Sequence, residues 1–283
     1  MTVMFTDRIP HKSGSSGGGG APGSDDGAAP GSGGGDAPGE VRLQFRGASL
    51  TFPDGTEAVR NVDLEVRRGQ FVSLIGPSGC GKSTLLRVAS GLLKPTGGEL
   101  RCDQKDIGYV FQDPTLLPWR TVQGNVELFA ELHGIAKKER ASRAAEVIRL
   151  VGLTGSEAKY PKALSGGMRS RVSMARSLLL HPSLFLFDEP FAAIDEITRE
   201  RLNDQLIQLF ALEKFAGVFV THSISEACFL ASRVVVMTKR PARVHAVVDV
   251  PFAYPRTADL RFDPDFVDIT KRVSTLLRES QEA

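Results

Sequence analysis

Nine residues, Gly76-Pro77-Ser78-Gly79-Cys80-Gly81-Lys82-Ser83-Thr84, constrain this chain more than any other stretch. They follow a nearly all-apolar run, Phe71-Val72-Ser73-Leu74-Ile75, and open a segment with helical spacing from Lys82 to Ser90. An apolar run of strand length without alternation predicts a strand covered on both faces. A glycine-rich turn from such a strand into a helix gathers the free N–H groups of the helix's first turn around one point, and glycines let the backbone curl without a Cβ in the way. That arrangement suits a polyphosphate. Lys82 supplies a point charge for the β and γ phosphates, Ser83 offers a hydroxyl to Mg²⁺, and Thr84 reaches the α phosphate. The motif by itself says nucleoside triphosphate. It does not separate a kinase from a GTPase or a transport ATPase.

The rest of the chain predicts an α/β fold around that loop. Leu184-Phe185-Leu186-Phe187, Gly217-Val218-Phe219-Val220 and Arg233-Val234-Val235-Val236-Met237 are further buried strands, and Asn203 to Lys214 reads as a helix between two of them. This rhythm argues for a largely parallel core sheet. Ahead of the loop, Val41-Arg42-Leu43-Gln44-Phe45 and Val62-Asp63-Leu64-Glu65-Val66 alternate with period two around the turn pair Asp54-Gly55, which predicts an antiparallel subdomain. Thr121 to Leu153 breaks the rhythm with two helical segments, one around Val122–Leu132 and one around Ala144–Leu150, forming an all-helical insertion. The expected organisation is a flexible tail over 1–39 and a folded domain over 40–283. Within it, the helical insertion spans about 113–178 and a short helical tail about 260–283.

Two acids end the strand at 184–187: Asp188 and Glu189, followed by Pro190. Ligands of an open α/β sheet sit at that edge. Asp188 is suited to holding Mg²⁺, directly or through water, and Glu189 to orienting or deprotonating a water in line with the γ phosphate.

Bulk properties exclude several classes. Charge is nearly balanced, with 35 basic and 33 acidic side chains, so nothing demands a nucleic-acid partner. Three cysteines without close spacing argue against a disulfide scaffold or a structural zinc. No run of eighteen apolar residues occurs, so any membrane association is expected through a partner. The opening Met1–Phe5 turns polar at once, which predicts no secretory leader. Ser13 to Gly39 is almost entirely Gly, Ser, Ala, Pro and Asp, too poor in apolar anchors to repay ordering.

Leu164-Ser165-Gly166-Gly167-Met168-Arg169 resembles the signature of ATP-binding-cassette (ABC) ATPases, placed between a helical insertion and an acidic strand tip. Other stations resemble the same family. Phe52 falls where its adenine-stacking aromatic lies. Gln112, after Gly108-Tyr109-Val110-Phe111, matches the glutamine that leads into the helical lobe and touches Mg²⁺ or the water. Ala193-Ile194-Asp195 matches the segment at the dimer seam, and His222, after Val220-Thr221, the switch histidine. The resemblance covers about Val41 to Arg243. It implies a head-to-tail dimer, with ATP on one subunit's phosphate loop capped by Ser165, Gly166 and Gly167 of the other. The second subunit is another copy or a homologous ATPase chain. Met168, Ser170 and Ser223 stand where relatives often carry glutamine, glutamine and aspartate; none removes a group the chemistry needs.

The segment Phe111-Gln112-Asp113-Pro114-Thr115-Leu116-Leu117-Pro118-Trp119-Arg120-Thr121-Val122 looks like the importer group serving nitrate, sulfonate, taurine and bicarbonate. Thr221–Ala227 and Lys239–Val244 point the same way. Such resemblance implies an integral-membrane permease partner and, indirectly, an extracytoplasmic solute-binding protein. It implies a peripheral place on the cytoplasmic face of the inner or plasma membrane. Leu117 and Trp119 either anchor a permease helix or pack the helical lobe against the core. Competing readings are a soluble ABC ATPase of repair or translation, an exporter subunit, an ATP-gated scaffold and a small-molecule kinase. No long coiled-coil insert or second cassette supports the first, intact Glu189, Gln112 and His222 oppose the scaffold, and the signature has no purpose in the kinase.

Overall fold

A computed structural model describes residues 39–282 except Ala193. The tail expected over 1–39 lies, but for its last residue, outside the described residues. Two sheets organise the rest. Strands β1 (Val41–Thr51), β2 (Glu57–Arg67) and, after the first helix, β4 (Gly97–Cys102) form an antiparallel sheet in the order β2-β1-β4. The larger sheet has the order β5-β6-β7-β3-β8-β9, built from β3 (Phe71–Ile75), β5 (Ile107–Val110), β6 (Leu184–Asp188), β7 (Ala216–Val220), β8 (Arg233–Met237) and β9 (Val244–Asp249). Five of its strands run parallel, and β9 closes the edge antiparallel to β8.

The core strands sort their side chains by face, as a period of two requires. Phe71, Ile75, Phe185, Phe187 and Phe219 point into one apolar cluster, covered by helices. Val72, Leu74, Leu184, Leu186, Val218 and Val220 point into the other, under the antiparallel sheet and helix α1 (Lys82–Ala89). Phe71 is fully buried, with ring centroids of Phe187, Phe210, Phe215 and Phe219 at 6.1, 5.3, 6.2 and 6.0 Å. A Cβ on Gly217, its cross-strand partner, would sit 2.8 Å from that ring, so the glycine makes room for it. Phe71→Ala should cost about 3–5 kcal/mol, read as a lowered midpoint in denaturant unfolding; an unchanged midpoint would show that the ring is not the hub of this cluster.

The insertion between β5 and β6 holds α2 (Val122–Val126), α3 (Leu128–Leu132), α4 (Lys137–Leu150) and α5 (Gly166–Leu178). The single helix expected around 122–132 is two short ones joined at Glu127, whose φ of −68° and ψ of −13° stay helical, so the segment is one interrupted rod. The signature helix begins at Gly166, because Ser165 caps it by accepting from the Met168 N–H at 3.3 Å. Helix α6 (Glu196–Glu213) starts seven residues before the expected Asn203. Its first two turns are mostly polar, with Ile197 exposed, and carry no apolar period, but Asp195 caps it through the Thr198 N–H at 3.0 Å.

Helix α7 (Ile224–Leu230) and the C-terminal α8 (Pro264–Glu279) complete the fold. Arg256 is buried between them. One of its guanidinium nitrogens donates to the carbonyls of Cys228, Phe229 and Ala231 at 2.8–3.0 Å, and the other to those of Val250 and Phe252 at 3.3 and 3.0 Å. Three of those carbonyls belong to the end of α7, where intrahelical donors run out.

Candidate functional site

The glycine loop joins the C-terminal end of β3 to α1. The first bond of the helical ladder runs from the Leu85 N–H to the Gly81 carbonyl (2.9 Å), so that among the described residues the N–H groups of Gly81, Lys82, Ser83 and Thr84 have no carbonyl partner. Gly81 has φ +131°, and a Cβ there would meet the Ala58 carbonyl at 2.6 Å. No other residue fits that position. Lys82 folds back over the loop, its Nζ donating to the carbonyls of Gly76 (2.8 Å) and Pro77 (3.0 Å) and lying 3.9 Å from Cys80 Sγ. The ammonium is thus held at the mouth of the N–H cradle. Ser78 and Gly79 form its rim, and Arg240 supports it from outside by donating to the Gly79 carbonyl at 2.8 Å.

Across the sheet, Asp188 ends β6 and is buried. Its Oδ1 accepts from Ser83 Oγ at 2.6 Å and its Oδ2 from the Tyr109 hydroxyl at 3.3 Å. Burial pushes the Asp188 carboxyl above the ordinary carboxylate range, against the pull of the bonds from Ser83 and Tyr109. Tyr109 stacks on Phe111 with centroids 4.0 Å apart, and burial raises its phenol too. Glu189 follows with φ +45°, a left-handed backbone that a non-glycine residue seldom adopts, while its N–H donates to the Val220 carbonyl at 3.1 Å. That turn takes the Glu189 side chain out of the sheet toward His222, whose Nδ1 lies 3.4 Å from Glu189 Oε2. His222 is itself exposed, one residue beyond Thr221 at the tip of β7.

The structure therefore brings together Ser83 and Asp188 at one point, and Glu189 and His222 at another, with Lys82 folded over the adjoining loop, all at the C-terminal edge of the parallel strands. Gln112 is exposed, two residues past β5, on the same edge. Phe52 is half-buried against the aliphatic cluster at the β1–β2 turn, where its N–H and carbonyl bond Thr56 and Gly55 at 2.9 Å. Strand β2 of that hairpin touches the loop at Ala58. Ser165 is exposed at the start of α5, with Gly166 and Gly167 half-buried beside it, and among the described residues no hydrogen bond joins them to the glycine loop.

Trp119 is 71 % exposed, so it does not pack the insertion against the core. The loop that carries it is fixed from two sides. Buried Asn125 accepts from the Leu117 N–H at 2.8 Å and donates to the carbonyls of Leu117, Arg120 and Thr121, while Arg176 of α5 donates to those of Pro114 and Thr115.

Sequence reasoning missed Tyr109, Arg240, Asn125 and Arg176. Tyr109 stood inside a segment read only for its glutamine. The other three act on backbone carbonyls, which leave no motif.

Hard oxygen ligands are what Mg²⁺ takes, and it commonly binds through one or two carboxylates plus substrate phosphates. Ser83 Oγ and Asp188 Oδ1 at 2.6 Å are such a pair. Among the described residues no group of three or more His, Cys, Asp or Glu side chains is gathered to hold a metal by itself. The residues fit a cation that arrives with a polyphosphate.

Comparison with known proteins agrees with this geometry. Residues 59–192 match the family described as ABC transporter. An uncharacterized ABC transporter ATP-binding protein of Methanocaldococcus jannaschii is 44% identical over 230 residues, 79% of this chain and 85% of that protein. The nitrate import ATP-binding protein NrtD of a Synechocystis species is 39% identical over 234 residues, 78% of this chain and 88% of that protein. Among solved structures, the dimeric post-hydrolysis state of an ATP-binding cassette bound to ADP and Pi superimposes with a TM-score of 0.68 at 31% identity, covering 75% of this chain and all of that one. A glycine loop, a helical insertion and an acidic strand tip in this order, with relatives of this identity over most of their length, place the chain in the ABC transporter family as one of its ATP-binding ATPase subunits.

Proposed function

We propose that this chain powers an importer for a small anion of the nitrate or sulfonate class, working as a head-to-tail pair beneath an integral-membrane permease on the cytoplasmic face. The single observation that carries the reading is the placement of Ser165, Gly166 and Gly167. They form an open helix start, with Ser165 exposed and, among the described residues, no hydrogen bond to the chain's own glycine loop, and a helix start is a ready anion grip. A second subunit facing the loop would use that grip on the γ phosphate, so closure completes the site and hydrolysis loosens it.

Within the closed site the roles follow from position. The N–H groups of residues 81–84 hold the β and α phosphates, Lys82 neutralises β and γ, and Phe52 offers its ring to adenine. Mg²⁺, when bound by Ser83, Asp188 and Gln112 with phosphate oxygens, neutralises charge on the triphosphate. Glu189 orients a water and takes its proton. The water oxygen bonds to the γ phosphorus as the bond to the β–γ bridging oxygen breaks, and ADP leaves with that electron pair. His222 holds Glu189 and the γ phosphate in register. Gln112 sits between the metal side and the insertion, so it couples the position of the insertion to the chemistry. No helix among the described residues is long and apolar enough to cross a membrane, which fits a peripheral subunit. Trp119, exposed on a braced loop, is a natural anchor for the permease.

The importer reading is tested by co-purifying the chain with its permease, reconstituting the pair with its solute-binding protein, and measuring ATPase rate with nitrate, an alkylsulfonate or taurine added. A rise of severalfold with one anion is expected. No rise with any of them, in a complex whose basal rate is intact, would remove the anion importer assignment.

A further inference from the structure

Helix α7 opens with Ser223 and carries Glu226 three residues on, the spacing of a capping box. In such a box the serine hydroxyl takes the N–H of the glutamate, and the glutamate's carboxylate reaches back to the serine N–H. Only the first bond is made here, from the Glu226 N–H to Ser223 Oγ at 3.3 Å. The second is relayed. The Ser223 N–H donates to Thr221 Oγ1 at 3.0 Å, and the Thr221 hydroxyl donates to Glu226 Oε2 at 2.5 Å. These bonds close a ring through Thr221, Ser223 and Glu226, and His222 sits between its first two members, Thr221 and Ser223.

Two of the ring's three members are buried, Glu226 at 7% exposed and Thr221 at 2%, and the buried Asn203 side chain lies against the Glu226 carboxyl. Burial raises the Glu226 carboxyl above the ordinary range. A helix cap alone would not need this arrangement, since a glutamate at this position can cap from the solvent side. The buried carboxyl instead grips the residue before the histidine and, through it, the residue after. Its surroundings connect with the reacting pair, because Glu226, Thr221, Arg199, His222 and Glu189 line one small hollow.

We propose that Glu226 is a positioning residue for His222, fixing through Thr221 and Ser223 the turn that presents the imidazole to Glu189. The proposal rests on the hydrolytic reading of Glu189 and His222. It gives the Thr221–Glu226 stretch a purpose in setting turnover, with no contact to the nucleotide.

The test uses the full chain and steady-state ATPase kinetics. Glu226→Leu should lower kcat by about 10- to 100-fold, the loss that misplacing a reacting group causes, with KM for ATP little changed. Glu226→Gln, whose amide oxygen still accepts the Thr221 hydroxyl, should recover most of that loss. In a His222→Ala background, Glu226→Leu should slow the residual rate no further. A further loss in that background, equal losses for the Gln and Leu variants, or a raised KM at constant kcat would overturn the proposal. Should Glu226→Leu fail to fold, Thr221→Val removes the same bond with a side chain of equal size, and the comparison with His222→Ala is read from it. If His222→Ala alone kept the full rate, the hydrolytic reading of the pair would fall, and this proposal with it. A fast Glu226→Leu beside a slow His222→Ala would sink the proposal alone.

Discussion

Glu189→Gln should bind Mg-ATP as tightly as the unaltered chain and lower kcat by about 100- to 10,000-fold, the span lost with a positioned proton acceptor. The amide matches the carboxylate in size and keeps an acceptor 3.4 Å from His222. The left-handed turn at residue 189, anchored by its N–H on Val220, does not depend on the side chain's charge. What is lost is the ability to take a proton from water. Because hydrolysis is what opens the proposed pair of chains, this variant should also persist as a dimer in Mg-ATP, seen as an earlier elution in size-exclusion chromatography. A variant with normal turnover would take Glu189 out of its role, and slow turnover without a stable dimer would detach closure from the trapped nucleotide.

Lys82→Ala should weaken Mg-ATP binding by about 10- to 100-fold, the worth of a charge-assisted contact. Equilibrium titration with a fluorescent ATP analogue measures it. The ammonium is held by the carbonyls of Gly76 and Pro77, and those carbonyls lose their donor in the variant. Some loss of thermal stability without nucleotide is therefore expected, and the binding defect should exceed what that loss explains. Mixing this chain with a Ser165→Arg chain tests the shared site. One composite site in each mixed pair keeps both an intact loop and an intact signature, so activity should return on mixing. Two inactive chains that stayed inactive together would count against the head-to-tail arrangement.

Much of the nucleotide side was legible in the letters, because each motif there is also a backbone geometry. The glycine at 81 is required by a φ of +131° and a carbonyl 2.6 Å from where a Cβ would be, and a strand of Leu and Phe ending in two acids can only put them at a sheet edge. Bonds that join distant parts of the chain were not legible. Tyr109 and Asp188 are 79 residues apart, and Arg240 and Gly79 are 161 apart, so neither pairing leaves a local pattern. Strand β9 went unrecognised because an edge strand with one covered face lacks the apolar run that marks the central ones. The start of α6 was hidden for the opposite reason. Its first turns are mostly Glu, Thr and Arg with an exposed Ile197, and only the cap at Asp195 announces them. Trp119 was left between two readings that differ only in exposure, a property of the folded surface.

Arg256 ties the last stretch of the chain to the helix that follows His222. Its guanidinium gathers five carbonyls, three of them at the end of the helix that begins just after His222. A truncated cassette stopping short of residue 256 would therefore not be a trimmed equivalent of the whole. It would leave those oxygens without their donor at the end of the helix that follows residue 222, and measurements on it would describe a loosened fold rather than a smaller one.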